Sequence, residues 1–191
     1  MRHSPFTVVY DACVLYPAPL RDFLMWLALS GAFRARWSAQ IHDEWKRNLL
    51  ENRPDLTSDQ LDRTICMMND AVPGAAVTEY ESLVEGLVLP DPDDRHVLAV
   101  AIRSNASVIV TFNQNDFPAT ALEPLGIEAQ HPDEFAENLL DLDPAAVIAA
   151  AQRQRRQLKN PTIDVDRFLD NLLRQGLVQT VKLLATYRAI L

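Results

Sequence analysis

Four carboxylates in this chain stand where folding has to account for them: Asp11, Glu44, Asp94 and Asp116. Asp11 ends the apolar run Phe6-Thr7-Val8-Val9-Tyr10. Five β-favouring residues without polar alternation predict a strand covered on both faces, as in a central parallel strand. A carboxylate there is costly unless it is paired, hydrogen-bonded or bound to a cation. It would also sit where open α/β sheets bind ligands, outside the carboxyl ends of the strands. Taken alone, Asp11 fits equally well an acid that merely begins the turn after the strand. Acids that converge without basic neighbours either take up protons or hold a cation. The chemistry open to such a set is oxygen ligation of magnesium or manganese, with the metal activating water and neutralising charge that develops on a phosphodiester.

Helix geometry sorts the other acids, at about 100° per residue. In the segment from Ala39 to Glu51, Ile41, Trp45 and Leu49 form the buried stripe. Asp43 falls on the opposite face. Glu44 falls at the border of the stripe, as a solvated flank residue or as an acid reaching the rim of the core. Asp91-Pro92 opens a helix to about Ser104, with Asp91 as N-cap and Pro92 at the first helical position. Val97, Leu98, Ala101 and Ile102 form its buried stripe, and Asp94 projects near the middle of it. Arg95, Ala99 and Arg103 point away, and His96 falls near the solvent side, which argues against a basic catalytic role. The third candidate place is the polar loop Phe112 to Phe117, directly after the strand Ser107 to Thr111. Thr111, Asn113 and Asp116 there fit an ordered turn or a site.

The elements that must position these groups alternate strand and helix. A helix is expected from Leu20 to Ser30, and a short strand from Phe33 to Trp37 with Arg34 and Arg36 on one side. Ser38 caps the next helix, and Thr57 to Gln60 forms a capping box for a third, running to about Met68. Val72 to Leu89 fits either short strands or helix ends. Ile127 to Ala129 reads as an edge strand before a helix from Pro132 to Leu140. Asp143-Pro144 then opens an alanine-rich helix through Leu158, broken at Asn160-Pro161. Two further helices are expected, about Asp164 to Gln175 and Leu177 to Ile190, separated by Gly176. The fold class is α/β, a three-layer sandwich on a mainly parallel sheet with C-terminal helices. The expected division is residues 1–142 and 143–191.

The chain has 191 residues and a formal net charge of -8. The charge is uneven: residues 1–144 carry a net -13 and residues 145–191 a net +5. That argues against a generic nucleic-acid coat and describes an acidic body with a basic tail segment. Arg153, Arg156 and Lys159 (with Arg155) offer a basic helix face for an RNA backbone, or an ordinary solvated face. Cys13 and Cys66 share no metal-ligand spacing with each other or with the histidines, so zinc is not expected and both read as reduced thiols. No apolar run approaches the ~20 residues of a membrane span. Met1 to Thr7 has no signal-peptide layout. A cytoplasmic location is expected.

Four motifs together resemble the PIN-domain ribonucleases, in particular the VapC-type toxins of toxin–antitoxin pairs. VVYDACVL is similar to the family's opening strand with its first acid, here Asp11. Glu44 in WSAQIHDEWKRNLL matches the second acid. LPDPDDRHVLAVAI resembles the acid-led helix and places a metal-binding acid at Asp94. VIVTFNQNDF resembles the closing strand and loop, matching Thr111, Asn113 and Asp116. The resemblance covers about residues 5 to 140. It implies a PIN-like sandwich, Mg²⁺- or Mn²⁺-dependent RNA cleavage, a small antitoxin partner and a homodimer. It makes Asp11 and Asp94 metal ligands, with Glu44 and Asp116 completing the quartet, and gives Thr111 and Asn113 a part in orienting acids or substrate. Cys13 departs from the family, which commonly has Ser or Asn there; a thiol is a poorer hydrogen-bond partner. The length also departs, since some fifty residues follow Leu140, as in a longer PIN subgroup with a helical tail. A haloacid-dehalogenase-like phosphatase would need a second Asp at position 13. A PIN-like module that binds RNA or a partner without cleaving is the alternative of a different class.

Overall fold

The computed structural model of the protein describes residues 6–159 and 161–191; the expectations resting on Arg2, His3 and Asn160 lie outside them. Strand β1 (Thr7–Tyr10) is buried along its whole length. It pairs in parallel with β2 (Arg34–Arg36) on one side and β3 (Val108–Val110) on the other. β3 in turn pairs in parallel with β4 (Glu128–Gln130), so the sheet order is β2-β1-β3-β4. β1 therefore connects forward to β2 on one flank while β3 lies on the other. The crevice between the ends of β1 and β3 is a topological switch point, where open α/β sheets place their ligands.

Helices α1 (Ala12–Leu15) and α2 (Ala18–Ala28) follow β1. The residues after Asp11 thus turn at once into a helical turn, and α2 begins two residues before the expected Leu20. Helix α3 (Ala39–Asn52) is capped by Ser38, whose hydroxyl accepts from Ile41 N, and α4 (Ser58–Ala71) opens with the full Thr57–Gln60 capping box. The ambiguous stretch 72–89 resolves into a short helix, α5 (Glu81–Val84), and a single bridge between Trp37 and Ala76. α6 (Arg95–Arg103) is preceded by one 3-10 turn, Pro92–Asp94. A helical turn, α7 (Ala119–Leu122), precedes β4 and went unforeseen in the sequence. Then come α8 (Pro132–Leu142), α9 (Pro144–Gln157), α10 (Val165–Arg174) and α11 (Val178–Ala185). Among the described residues no helix is long and apolar enough to cross a membrane.

Val8, Val9 and Tyr10 are inaccessible to solvent, so helices cover both sides of the central strand. An aromatic cluster fixes one side. Tyr10 stacks on Trp37 at 6.4 Å between ring centroids, and Phe33 meets Phe135 of α8 edge-on at 5.2 Å. The Tyr10 hydroxyl donates to the carbonyl of Leu24 in α2 at 3.0 Å, so this buried polar tip is satisfied. Burial holds that phenol above its ordinary pKa range.

The C-terminal helices are built onto this body. α9 packs along α2, and α11 packs on α8. α11 has no capping side chain of its own at Leu177. Asp133 of α8 supplies the cap from outside the helix. Its carboxylate accepts from Gln179 N at 2.8 Å, Thr180 N at 2.9 Å and the Thr180 hydroxyl at 2.8 Å, and Thr180 is fully buried. Replacing Asp133 with Ala leaves the two amides without an acceptor, while the Thr180 hydroxyl keeps the Asp133 carbonyl at 3.2 Å. We expect a loss of about 3 kcal/mol in urea unfolding, the scale for hydrogen bonds to a charged group.

Under α3, His42 is buried, and its Nδ1 accepts from Trp45 Nε1 at 3.0 Å. Burial lowers its pKa from 6.5 to about 4. The folded state therefore holds the neutral ring between pH 6.5 and 4, while the unfolded chain takes up a proton. Stability linked to His42 is complete above 6.5 and falls as the pH drops towards 4, by about 3 kcal/mol. Urea melts at pH 7 and pH 4.5 should show this loss relative to His42→Asn, which keeps an acceptor for Trp45 and lacks the titration.

Candidate active site

The ends of β1 and β3 bring Asp11 and Thr111 into contact. The Asp11 amide donates to Val110 O at 3.1 Å, and the Thr111 amide donates to Gln130 O at 3.0 Å, so the backbone of both residues is held by the sheet. Asp11 is 2% exposed and Thr111 is fully buried. The Asp11 carboxylate accepts from Ala12 N at 2.6 Å on Oδ1, and from the Thr111 hydroxyl at 2.7 Å and the Cys13 thiol at 3.0 Å on Oδ2. The Thr111 oxygen also accepts from Asn113 N at 2.9 Å, which fixes the start of the loop. Burial raises the Asp11 pKa, the Cys13 and Thr111 hydrogen bonds pull it back, and the charge of Glu44 raises it again.

Cys13 supports Asp11 despite being a thiol. It donates to Asp11 and accepts from Phe112 N at 3.2 Å, which ties the loop after β3 to the turn after β1. Burial and the nearby Asp11 charge hold the thiol far above its ordinary pKa, so it remains a proton donor across physiological pH.

Asp94 occupies the end of the 3-10 turn before α6 and is half-buried. Its neighbour Asp91 spends a carboxylate oxygen on the amide of Asp93, 2.9 Å away, whereas Asp94 makes no capping bond to its own helix. Burial pushes the Asp94 pKa from 3.8 up to about 7, with the charges of Asp11, Asp91, Asp116 and Glu44 adding to it. These acids therefore share one region of space. Glu44 reaches it from α3 with its side chain 31% exposed, and Asp116 from the 3-10 turn Gln114–Asp116. Asp43 faces water, as its helical position requires.

Two expectations are overturned. His96 is 3% exposed, not solvent-facing, and its Nε2 lies 3.3 Å from Glu44 Oε2. Ala99, expected to point outward, is also fully buried. The cause is that α6 is wrapped. The strands β1 and β3, α5 and the Glu44 edge of α3 surround it, and little of its circumference meets solvent. A single-stripe model of the helix cannot register contacts on several sides. His96 thus becomes the neighbour that fixes Glu44, and Asp91 joins the acids that act on Asp94. The only sequence signal for His96 was its place two residues after Asp94.

The donor set suits a hard cation: carboxylates and a hydroxyl, with acids supplying the charges that act most on Asp94. Among the described residues no three His, Cys, Asp or Glu side chains are already gathered closely enough to hold a metal ion. The acids act on each other through space; the direct side-chain contacts at the site join Asp11 to Cys13 and Thr111, and Glu44 to His96. Asn113 contributes its backbone, and its side chain is exposed. Arg153, Arg156 and Lys159 are exposed at the end of α9 and beyond it, and no hydrogen bond or ion pair among the described residues joins them to the acids. Arg155 is engaged structurally, donating to the carbonyls of Leu191 at 3.0 Å and Ile163 at 3.3 Å.

Comparison with known proteins agrees with this geometry. Residues 132–186 match the family model described as the VapC50 C-terminal domain. A Mycobacterium tuberculosis protein named "Putative ribonuclease VapC50" is 57% identical over 49 residues, 26% of this chain and 29% of that protein. The chain therefore aligns with under a third of the length of this curated relative. No solved structure matches. The model described as PIN domain matches residues 7–115, which is more than half the chain and runs from the first residue of β1 through β3 to the loop that follows it; the chain belongs to the PIN-domain family.

Proposed function

We propose that this protein is a divalent-metal-dependent endoribonuclease that hydrolyses RNA phosphodiester bonds, the toxin component of a type II toxin–antitoxin pair. One observation carries the reading: on a PIN fold, burial and four surrounding acids raise Asp94 to about pKa 7. A carboxyl group in that position is relieved by a cation. Asp11, Asp94, Glu44 and Asp116 would hold Mg²⁺ or Mn²⁺. When bound, the metal would supply Lewis acidity towards a phosphodiester and its attacking water. The residues of the chain do the rest. Thr111 and Cys13 hold Asp11 in one orientation, His96 holds Glu44, and Asn113 lies at the rim beside the substrate. The name of the aligned relative, "Putative ribonuclease VapC50", supports the ribonuclease reading. The resemblance to VapC-type toxins adds a small antitoxin partner, a homodimer and a cytoplasmic location to the proposal. We assign residues 1–142 to the nuclease domain and 143–191 to its helical extension.

Purified protein should cut a mixed RNA substrate with Mn²⁺ or Mg²⁺ and stop in EDTA. Asp94→Asn should lower the rate by about 100-fold or more, beyond the 10–100-fold cost of disturbing residues around a metal ligand. Cutting that persists in Asp94→Asn would place the chemistry elsewhere. RNA binding without cutting, under every metal condition, would identify a non-cleaving PIN-like binding module.

Asp94 also sets a pH dependence. Below about pH 7 its carboxyl is protonated in the metal-free protein, and a cation must displace that proton. Calorimetric Mn²⁺ affinity should fall by up to about tenfold per pH unit below 7 and level off above it. A flat profile between pH 6 and 8 would remove Asp94 from the ligand set.

A further inference from the structure

The C-terminal extension carries a cavity of about 830 Å³, lined by Lys159, Ile163, Arg167, Asp170, Asn171 and Arg174 among others. α10 explains why polar groups gather there. It buries Phe168, Leu169 and Leu172 against the body, so its other face carries Arg167, Asp170, Asn171 and Arg174 at spacings of three, four and seven residues. The two arginines are aligned two turns apart, about 10 Å along the helix. Asp170 lies between them in sequence and pairs with neither. Among the described residues no ion pair engages Lys159, Arg167 or Arg174, although the other nearby charges are used. Asp164 caps α10 by accepting from Arg167 N at 2.8 Å, and Asp166 pairs with Arg188. Three free cations against one acid thus line a hollow in a chain whose first 144 residues carry a net -13.

The same helix ends beside the loop that follows β3. Gly176, two residues after Arg174, makes the left-handed turn between α10 and α11 at φ +84°, and a Cβ there would lie 3.7 Å from His131 and 4.0 Å from Phe112. Phe112 stands between Thr111 and Asn113 and stacks edge-on with His131 at 5.2 Å. The cationic face of α10 therefore terminates at the turn that touches the active-site loop.

We infer that the cavity along α10 binds the phosphate backbone of single-stranded RNA and leads the strand to the acidic site. The arginine forks suit phosphate oxygens, and Ile163 with its neighbour Pro161 gives sugars an apolar wall. An acidic cleft repels RNA, so a separate cationic tract is what brings the backbone to it. This rests on the ribonuclease reading for its substrate, but its test does not require cleavage.

The test is anisotropy of a fluorescent 20-nucleotide oligouridine RNA, in EDTA, over a salt series. Arg167→Ala/Arg174→Ala should weaken binding at least tenfold and reduce the slope of log affinity against log salt by about 1.4, at about 0.7 per phosphate contact on a single strand. Arg167→Lys/Arg174→Lys should retain most of the binding, and thermal melts of both doubles should match the parent. Arg47→Ala/Arg63→Ala removes the same charge from exposed positions elsewhere and should change little. An equal loss in that control, an unchanged slope in the tract variant, or no RNA binding by the parent would overturn the tract. Displacement of the RNA by polyglutamate with the same affinity and the same dependence on Arg167 and Arg174 would also overturn it, in favour of an acidic protein segment. Loss of RNA binding in the tract variant of a protein that never cleaves would keep the tract and reject the ribonuclease reading. Normal cleavage with unaltered binding would do the reverse.

Discussion

The structure depends on placing a carboxylate at the end of a strand that water does not reach. Asp11 follows three inaccessible residues and is itself 2% exposed. Left alone, such a group would cost several kcal/mol or take up a proton. The chain answers with three donors: Ala12 N, the Thr111 hydroxyl and the Cys13 thiol. Two of them come from the turn after β1 and one from the end of β3. The same bonds that make the acid tolerable therefore lock the two central strands in register at their carboxyl ends. Stability and site geometry share these contacts.

The other acids are arranged on the opposite principle. Asp94, Glu44 and Asp116 are only partly buried, and they receive little neutralising charge. Burial, with their repulsion added to it, holds Asp94 near pKa 7 instead of 3.8. A region that stored such repulsion with no use for it would be a liability, and α6 could have begun with Asp91 alone as its cap. Asp91 does cap the turn. Asp94 is thus a surplus acid in structural terms, which is why its environment points to a ligand more strongly than that of any other carboxylate in the chain.

Most of the fold was legible because local signals and burial agreed. The uninterrupted apolar run of β1, the Ser38 and Thr57 caps and the Asp91-Pro92 and Asp143-Pro144 starts all appear where the residue types place them. Helix phase left Glu44 open between a solvated flank and the rim of the core, and the family resemblance placed it; the positions of Asp11 and Asp94 followed from a strand end and helix phase. Two things did not. His96 was misplaced because helix phase assumes one buried side, whereas α6 is enclosed by neighbours distant in sequence. The support given by Cys13 was undervalued because thiols are weak donors in general. Here the acceptor is a buried carboxylate, and the sulfur also receives Phe112 N in a contact across 99 residues.

The basic extension follows the same logic of shared contacts. α11 has no cap of its own and borrows Asp133 from α8, so it is completed only against the body. The turn between α10 and α11 needs a left-handed residue, supplied by Gly176, and it packs on Phe112 and His131. His131 also caps α8, with Nδ1 accepting from Asp133 N at 3.1 Å. A short chain of contacts thus runs from the cap of α11 through Asp133 and His131 to Phe112, and from there through Cys13 to Asp11. A helical tail that served only as a solvated appendage would have no reason to end its turns on the residue between Thr111 and Asn113. Its placement sets the extension against the loop that follows β3, through Gly176, His131 and Phe112, so the order of that loop and the seating of the tail depend on the same contacts.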